Sequence, residues 1–127
     1  MTIVGISSTD APAAIGPYSP GIKIGNLVFL SGQIPIDPAT GNVISGDIKT
    51  QTHQIFQNIA ALLKVSGATS RNIVRTTVFL ADMDEFSVMN EVYASYVDDP
   101  PPARSTVQVA RLPKDVRVEI DVIEAVS

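Results

Sequence analysis

Residues 101–120 read PPARSTVQVARLPKDVRVEI, and the end of this stretch leads into a strand with a regular alternation. From Val116 onward every second residue is apolar, and the residues between them are mostly charged. Because side chains of a strand point alternately to its two faces, we expect the apolar set to face helices and the other set to face away from them. The apolar set is Val116, Val118, Ile120 and Val122, and the other set is Arg117, Glu119, Asp121 and Ile123.

The middle of the same stretch predicts a neighbouring strand, from about Arg104 to Val109. If Val107 and Val109 pack against the helices, Arg104 falls on the same helix-free face as Glu119. A guanidinium there can bind a carboxylate through two parallel hydrogen bonds, and a nearby carboxylate can orient a water. The pattern is also typical of a cross-strand ion pair on a solvated face, which contributes roughly 0.2–1 kcal/mol. The alternation by itself leaves an anion site and a structural pair open.

Toward the amino terminus, turn signals and apolar periodicity predict a hairpin and a helix. Gly25-Asn26 lies between two β-rich runs and predicts a hairpin over residues 21–31, which the surface turn DPATGN follows. Apolar residues at three- and four-residue spacing predict a helix from Asp47 to Val65, ended by Gly67.

Between that helix and the opening stretch, the chain predicts one strand and a second helix. NIVRTTVFLAD predicts a strand over about residues 72–81, and Asp82 and Glu85 then have the spacing of a capping box. The full prediction is β-β-α-β-α-β-β, with a further strand near residues 3–6. Two helices cover only one face of such a sheet, so the other face must be polar, hydrated or buried against another chain.

Composition narrows the classes of function. Only 17% of the 127 residues are charged, which favours a surface partly covered by a neighbouring subunit. A net charge of −4 disfavours binding to a nucleic-acid backbone, and the absence of cysteine excludes disulfides, thiolate metal sites and a cysteine nucleophile. No segment predicts a membrane span or a cleaved leader, so we expect a soluble, unprocessed protein.

Four blocks of sequence together resemble a known family. They are APAAIGPYSPG (residues 11–21), SGQIP (31–35), TTVFLADMDEFSVMNEVY (76–93), and Pro102-Ala103-Arg104-Ser105 with the later Val118-Glu119-Ile120. The combination resembles the reactive-intermediate deaminase family, RidA, also called YjgF. The resemblance implies one α+β domain over residues 1–127, a chorismate-mutase-like subunit with two helices on one face of a mixed β-sheet. It also implies a homotrimer whose sheets form an inner barrel, with sites in the clefts between subunits.

The resemblance also implies an activity, which is the hydrolysis of enamine and imine intermediates such as 2-aminoacrylate and 2-aminocrotonate to 2-oxo acids and ammonia. That activity is a 2-iminobutanoate/2-iminopropanoate deaminase reaction in the cytoplasm, without metal or cofactor. Ribonuclease or translation-inhibitor activity is an alternative, but the chain has neither a basic stripe nor a pair of histidines. A noncatalytic trimer that binds small carboxylates or unfolded proteins is a further alternative.

Three site residues follow from the resemblance with a stated chemical role. Arg104 would hold the substrate carboxylate, and Glu119 would orient or activate the attacking water and pass a proton to the departing ammonia. Tyr18, after the turn-forming Gly16-Pro17, would close the pocket with its ring and offer its hydroxyl. The alternative for Tyr18 is a half-buried surface tyrosine.

Three further residues would line the same pocket. Ser31 and Gly32 lie at a strand end, where the Ser31 hydroxyl and the backbone N–H groups would face the ligand. A turn hydrogen bond is the alternative role for Ser31. Thr106 occupies a position where many relatives have a cysteine that points into the pocket, which puts the substrate preference in doubt.

The remaining candidates are interpreted more simply. His53, the only histidine, lies among polar neighbours of the first helix and is expected to be a solvated helix residue. Asn90 on the second helix could reach the cleft. Phe86, Met89 and Tyr93 are expected to be core residues rather than a platform for a ligand.

Overall fold

The computed structural model describes residues 2–127, and its order of elements confirms the prediction, including the further strand near the amino terminus. The elements, in chain order, are β1 (Ile3–Ile6), β2 (Gly21–Ile24), β3 (Leu27–Gln33), α1 (Ile48–Val65), β4 (Ile73–Leu80), α2 (Phe86–Ala94), β5 (Ala103–Gln108) and β6 (Val118–Ala125).

All six strands belong to one mixed sheet, in the order β1-β2-β3-β6-β4-β5. Neighbouring strands are antiparallel except β4 and β5, which run parallel. The carboxyl-terminal strand β6 is therefore central, whereas β5 forms an edge. Because β4 lies between them, residues of β5 and β6 are never direct partners.

The ends of the β2–β3 hairpin and of α1 follow the turn chemistry of the sequence. Gly25 has φ 59° at the hairpin turn, a conformation that side chains with a Cβ rarely adopt. Asp47 caps α1 by accepting a hydrogen bond from the Thr50 backbone N–H, and Gly67 follows the helix with φ 77°. Within residues 2–127, no helix is both long and apolar enough to cross a membrane.

The predicted capping box at the start of the second helix is wrong. Asp82 accepts a hydrogen bond from the backbone N–H of Asp84 and so begins a 3-10 turn over Met83–Glu85, after which α2 starts at Phe86. The Glu85 carboxylate accepts from the Arg117 guanidinium instead of reaching back to the helix start. A charged partner across the fold therefore outcompetes the local cap.

Both helices pack on the same face of the sheet, as predicted. Ile55, Ile59 and Leu62 of α1 and Met89 and Tyr93 of α2 share one buried cluster with inward residues of the strands. The inward strand residues are Val28, Leu30, Val78, Leu80, Val118, Ile120 and Val122. The apolar side chains at every second strand position and those on one face of each helix thus pack together in one layer.

The opposite face of the sheet carries no helix and exposes apolar side chains. Leu27, Phe29 and Val107 are 37%, 41% and 41% exposed there, and Phe79 and Ile123 are partly buried beside them. Acidic residues of β6, Glu119 and Asp121, lie among these apolar groups. A face that mixes bare aromatic and aliphatic surface with few charges is typical of a contact between subunits.

Candidate functional site

Arg104, on the edge strand β5, is held by aromatic rings and an amide. Its guanidinium carbon lies 4.7 Å from the centre of the Tyr93 ring and 5.6 Å from that of Phe86. Its Nη1 donates a 2.7 Å hydrogen bond to Oδ1 of Asn90. Over residues 2–127, the ion pairs join Arg111 to Asp115 and Arg117 to Glu85, and none involves Arg104. The cation is therefore oriented but not neutralised by a carboxylate.

The prediction that Arg104 and Glu119 share a face of the sheet is wrong. Arg104 pairs with Thr76 of β4, whose side chain is buried under the helices. Glu119 pairs with Phe79 of the same strand, three residues further on, so the Phe79 side chain points to the opposite face of the sheet. Arg104 therefore lies on the helix side and Glu119 on the helix-free side. Val107, predicted to point toward the helices, is 41% exposed on the opposite face.

The physical reason lies in the position of β5 at the edge of the sheet. The core beneath this strand is already filled by side chains of β4 and α2, so an inward position on β5 meets the aromatic faces of α2 rather than a dry cavity. Arginine suits that place, because its stem packs on apolar surface while the guanidinium stacks on a ring. Alternation alone could not show whether Arg104 and Thr106 or Ser105 and Val107 face the helices.

Glu119 lies against a glycine on the neighbouring strand. A Cβ built at Gly32 of β3 would collide with the Glu119 carboxyl group, so glycine leaves the space that the carboxyl group occupies. The register between β3 and β6 shifts between Leu30 and Gln33, which brings this irregular segment beside Glu119. The structure thus brings together Gly32 and Glu119, two of the residues predicted for the site.

The environment of Glu119 favours its protonated form. Burial raises the pKa of the Glu119 carboxyl above its ordinary value, and the negative charge of Asp121, two residues along the same face, raises it further. The Asp121 side chain is itself held by a 3.0 Å hydrogen bond that its Oδ1 accepts from the Thr77 backbone N–H. A carboxyl group with a raised pKa is suited to receive and return protons during a reaction.

The hydroxyl groups of Tyr18 and Ser31 both form hydrogen bonds within the subunit. The Ser31 hydroxyl donates a 2.6 Å hydrogen bond to the Ser19 carbonyl, which is the turn role left open by the sequence. Tyr18 is 48% exposed, and its hydroxyl accepts a 3.3 Å hydrogen bond from the Ile15 backbone N–H. The Tyr18 ring and Gly32 line the same crevice of about 20 Å³. Tyr18 therefore lies beside Gly32, the residue that the Glu119 carboxyl group packs against.

Thr106 lies on the helix side of β5, two residues from Arg104. Its hydroxyl oxygen is buried and has no hydrogen-bond partner within the described residues. A buried hydroxyl without a partner costs free energy, roughly 1–3 kcal/mol in mutational data. The side chain is thus close to Arg104 along the strand, but its hydroxyl is enclosed by protein.

Two further side chains, both on α2, join Arg104. Asn90 does reach it, and Tyr93 is both a buried core residue and the ring beneath the guanidinium. The spacing of Phe86, Asn90 and Tyr93 at four and three residues along α2 could have signalled one helix face presented to a cation. His53 is partly buried, and its Nδ1 forms a 2.7 Å hydrogen bond with the Tyr96 hydroxyl.

The candidate residues therefore form two groups on opposite sides of the sheet. The arginine half-site comprises Asn90, Tyr93 and Arg104, and borders an open cleft of about 400 Å³. The glutamate half-site comprises Tyr18, Gly32 and Glu119. One half-site provides a cation suited to a carboxylate, and the other provides a carboxyl group suited to proton transfer.

Comparisons of the sequence with known proteins give a consistent result along the chain. A family model described as Endoribonuclease L-PSP matches residues 8–126. A RutC family protein of Pyrococcus horikoshii is 52% identical over 93% of this chain and 94% of its own length. The 2-iminobutanoate/2-iminopropanoate deaminase of Mus musculus is 43% identical over 93% of this chain and 87% of its own length.

Solved structures show the same fold. RidA from the Antarctic bacterium Psychrobacter sp. PAMC 21119 superposes with a TM-score of 0.93 at 41% identity, covering 97% of this chain and 99% of that one. The E. coli protein TdcF, crystallised with bound serine, superposes with a TM-score of 0.92 at 40% identity, covering 98% and 99%. The similarity extends over both half-sites.

Proposed function

Because this chain belongs to the RidA/YjgF family, whose family model is described as Endoribonuclease L-PSP, we propose that it hydrolyses reactive enamines and imines to 2-oxo acids and ammonia. Its substrates are short 2-imino acids such as those derived from 2-aminoacrylate and 2-aminocrotonate. The deaminase name of the Mus musculus relative and the serine bound in the TdcF crystal structure support a small amino-acid-like ligand.

One observation carries the proposal more than any other, namely the unpaired guanidinium of Arg104. Asn90 and the Tyr93 ring hold this cation at an open cleft, and no carboxylate within residues 2–127 neutralises it. A substrate carboxylate completes the arrangement through two parallel hydrogen bonds, which fix both its position and its plane.

The two half-sites meet only if different subunits contribute them. The sheet separates Arg104 from Glu119 within one chain, so the reaction centre forms where the arginine half-site of one copy faces the glutamate half-site of another. A homotrimer with three such clefts satisfies this requirement. The apolar, helix-free face with Leu27 and Phe29 supports the burial of this side of the sheet on assembly.

The reaction then follows three balanced steps. Protonation of the enamine at its β-carbon gives an iminium, whose carbon accepts the oxygen of a water. Glu119 takes one proton from that water, which leaves a neutral carbinolamine and a protonated Glu119. Glu119 then returns this proton to the nitrogen, the C–N bond breaks to release ammonia, and the hydroxyl loses its proton to solvent as the 2-oxo group forms, which balances the proton taken up by the enamine. Burial and Asp121 raise the pKa of Glu119, which favours its return of the proton to the leaving group.

A coupled assay tests the activity directly. A lyase that releases 2-aminoacrylate supplies the substrate, and the decay of the transient imine absorbance is followed with and without the protein. We expect faster decay with the wild type, near-complete loss with Arg104→Ala and a large loss with Glu119→Gln. Arg111→Ala and Glu91→Gln, which change exposed residues that belong to neither half-site, serve as matched controls. Equal activity in the wild type and Arg104→Ala would falsify the carboxylate-binding role.

Subunit mixing tests where the reaction centre forms. Arg104→Ala and Glu119→Gln chains are each expected to lose most of their activity alone, but a shared cleft can take a native Arg104 from one and a native Glu119 from the other. In trimers assembled at random from equal amounts, about one quarter of the clefts are then intact. Co-refolded mixtures are expected to regain about that share of wild-type activity. A mixture as inactive as its components contradicts the shared cleft.

A further inference from the structure

Tyr93 is tied to Arg104 from two directions. Its ring lies under the guanidinium at 4.7 Å, and its hydroxyl forms a 2.7 Å hydrogen bond with Oγ1 of Thr76. Thr76 is the residue of β4 that pairs with Arg104 of β5. Three contacts therefore form a closed network, which we call the Arg104 circuit. The Arg104 backbone pairs with Thr76, the Thr76 hydroxyl bonds the Tyr93 hydroxyl, and the Tyr93 ring packs against the Arg104 guanidinium.

This circuit is rigid because its inner members are buried. Thr76 is fully buried and Tyr93 is 5% exposed, and the Phe56 and Tyr93 rings pack in a T-shaped pair with centroids 5.6 Å apart. The Tyr93 ring thus has no room to rotate away from Arg104. On the far side, Asn90 from the preceding turn of α2 accepts from Nη1 and fixes the rotation of the guanidinium plane.

We propose that Tyr93 is a positioning residue for Arg104, and that its hydroxyl bond to Thr76 sets the plane in which the guanidinium meets a substrate carboxylate. The inference rests on the proposed function and extends it to the Tyr93 hydroxyl, which is bonded to the buried Thr76 and acts through Arg104. A flexible arginine loses rotamer freedom when it binds an anion, whereas a guanidinium already held by ring and amide does not.

The arrangement also favours arginine over lysine at position 104. A planar guanidinium stacks on a ring face and still offers an edge of N–H donors, but an ammonium group is compact and cannot do both. Arg104→Lys therefore retains the charge and loses the stacked geometry. Carboxylate binding is expected to fall in this variant nearly as far as in Arg104→Ala.

The experiment compares Tyr93→Phe, which keeps the ring and removes the hydroxyl, with Tyr96→Phe, which removes a hydroxyl that bonds His53 instead. We expect Tyr93→Phe to raise KM for the imine roughly threefold to tenfold with a smaller change in kcat, as for one lost hydrogen bond in the binding of a group held equally in ground and transition states. Tyr96→Phe leaves KM unchanged.

A double variant separates positioning from the cost of an unpaired hydroxyl. Tyr93→Phe leaves the buried Thr76 oxygen without a partner, whereas Tyr93→Phe with Thr76→Val removes both oxygens and leaves no polar group unsatisfied. If positioning is the cause, the double variant keeps the raised KM. If KM returns to the wild-type value, the effect is structural and the inference is overturned.

A readout independent of catalysis keeps this test distinct from the test of the activity. The side-chain N–H groups of Arg104 are followed by ¹⁵N NMR, together with titration of 2-oxobutanoate as a probe. We expect slow hydrogen exchange for Arg104 in the wild type and in Tyr96→Phe, with faster exchange and weaker binding in Tyr93→Phe. Identical exchange in all three proteins overturns the positioning role, even where the wild type hydrolyses imines. A wild type that shows slow exchange and no hydrolysis overturns the activity alone.

Discussion

The hydroxyl oxygen of Ser66 lies 2.5 Å from Oε1 of Glu124, and both side chains are buried. The same hydroxyl is within hydrogen-bond distance of the carbonyl oxygens of Leu62 and Leu63 at the end of α1. A hydroxyl has a single proton to donate, so the Ser66 hydroxyl shares it among Glu124 Oε1 and the two carbonyl oxygens and satisfies the Glu124 carboxyl group only in part.

The burial of Glu124 favours its neutral form. Val28 and Ile73, its partners on the two neighbouring strands, are buried apolar residues. Burial raises the pKa of the Glu124 carboxyl above its ordinary value of 4.5, while the Ser66 bond and the positive charge of Lys23 act in the opposite direction. Its Oε2 has no hydrogen-bond partner within the described residues.

Stability is therefore expected to decline as pH rises above 4.5, the pKa of this group in the unfolded chain. The folded state binds the proton more tightly than the unfolded state, so the free energy of unfolding falls until the folded-state pKa is passed and then levels off. Glu124→Gln removes this dependence and is more stable than the wild type at neutral pH. Urea unfolding at a series of pH values measures the free energy of unfolding of both proteins, with Glu91→Gln as the exposed control. Parallel pH curves for the wild type and Glu124→Gln would contradict the prediction.

Asp121→Asn is expected to move the pH dependence of catalysis. It removes a negative charge that raises the pKa of Glu119, so that pKa falls and the acid limb of kcat/KM shifts to lower pH. Asparagine keeps an oxygen able to accept from the Thr77 N–H, which preserves the local structure. The pH profile of imine hydrolysis measures the shift, and Asp84→Asn, an exposed change, leaves it in place. An unchanged acid limb in Asp121→Asn shows that Asp121 does not act on Glu119.

Gly32→Ala is expected to reduce both stability and activity, because its Cβ collides with the Glu119 carboxyl group. Removing the carboxyl group in Gly32→Ala with Glu119→Ala relieves the collision. The double variant therefore regains thermal stability and stays inactive. Gly5→Ala serves as the control, since its Cβ would meet only the Ser19 hydroxyl at 3.9 Å. A Gly32→Ala variant as stable and active as the wild type rules out the close approach.

Gly67→Ala tests the end of α1. Gly67 has φ 77°, where a Cβ is strained by its own backbone, and no atom lies within 4 Å of the added carbon. The cost is therefore conformational alone, about 1–2 kcal/mol. Thermal unfolding measures it, and asparagine at the same position, which tolerates this conformation better, is expected to cost less.

Phe29→Glu tests the contact between subunits without touching either half-site. Phe29 is 41% exposed on the helix-free face, and a carboxylate buried there without a partner opposes association. Light scattering is expected to give a mass near three subunits for the wild type and a smaller mass for Phe29→Glu. A single-subunit mass for the wild type at micromolar concentration argues against the trimer.

The sequence predicted the elements of this fold well because each has a local physical cause. The turn at Gly25, the cap at Asp47 and the alternation in β6 all act within a few residues of the chain. Residues on β6 therefore fell on the expected faces, with Val118 and Ile120 inside and Glu119 on the helix-free side.

The sequence could not show which alternate residues of β5 face the helices, because that choice depends on a contact with α2, a separate part of the chain. Ser105, Val107 and their neighbours allow either phase, and the outcome is set by the stacking of Arg104 on Tyr93, a contact between residues of α2 and β5. The role of Glu85 was missed for the same reason, since its partner Arg117 lies on a different part of the chain. Local patterns carry no information on such pairings.

The separation of Arg104 from Glu119 by the thickness of the sheet has a consequence for the timing of activity under the proposed function. A newly made chain would fold without being able to turn over substrate, and catalysis would begin only once copies have met. Activity in a dilute cell extract would then rise more steeply than the amount of protein. A compound that dissociates the subunits would then abolish activity without unfolding the chain or occupying its cleft.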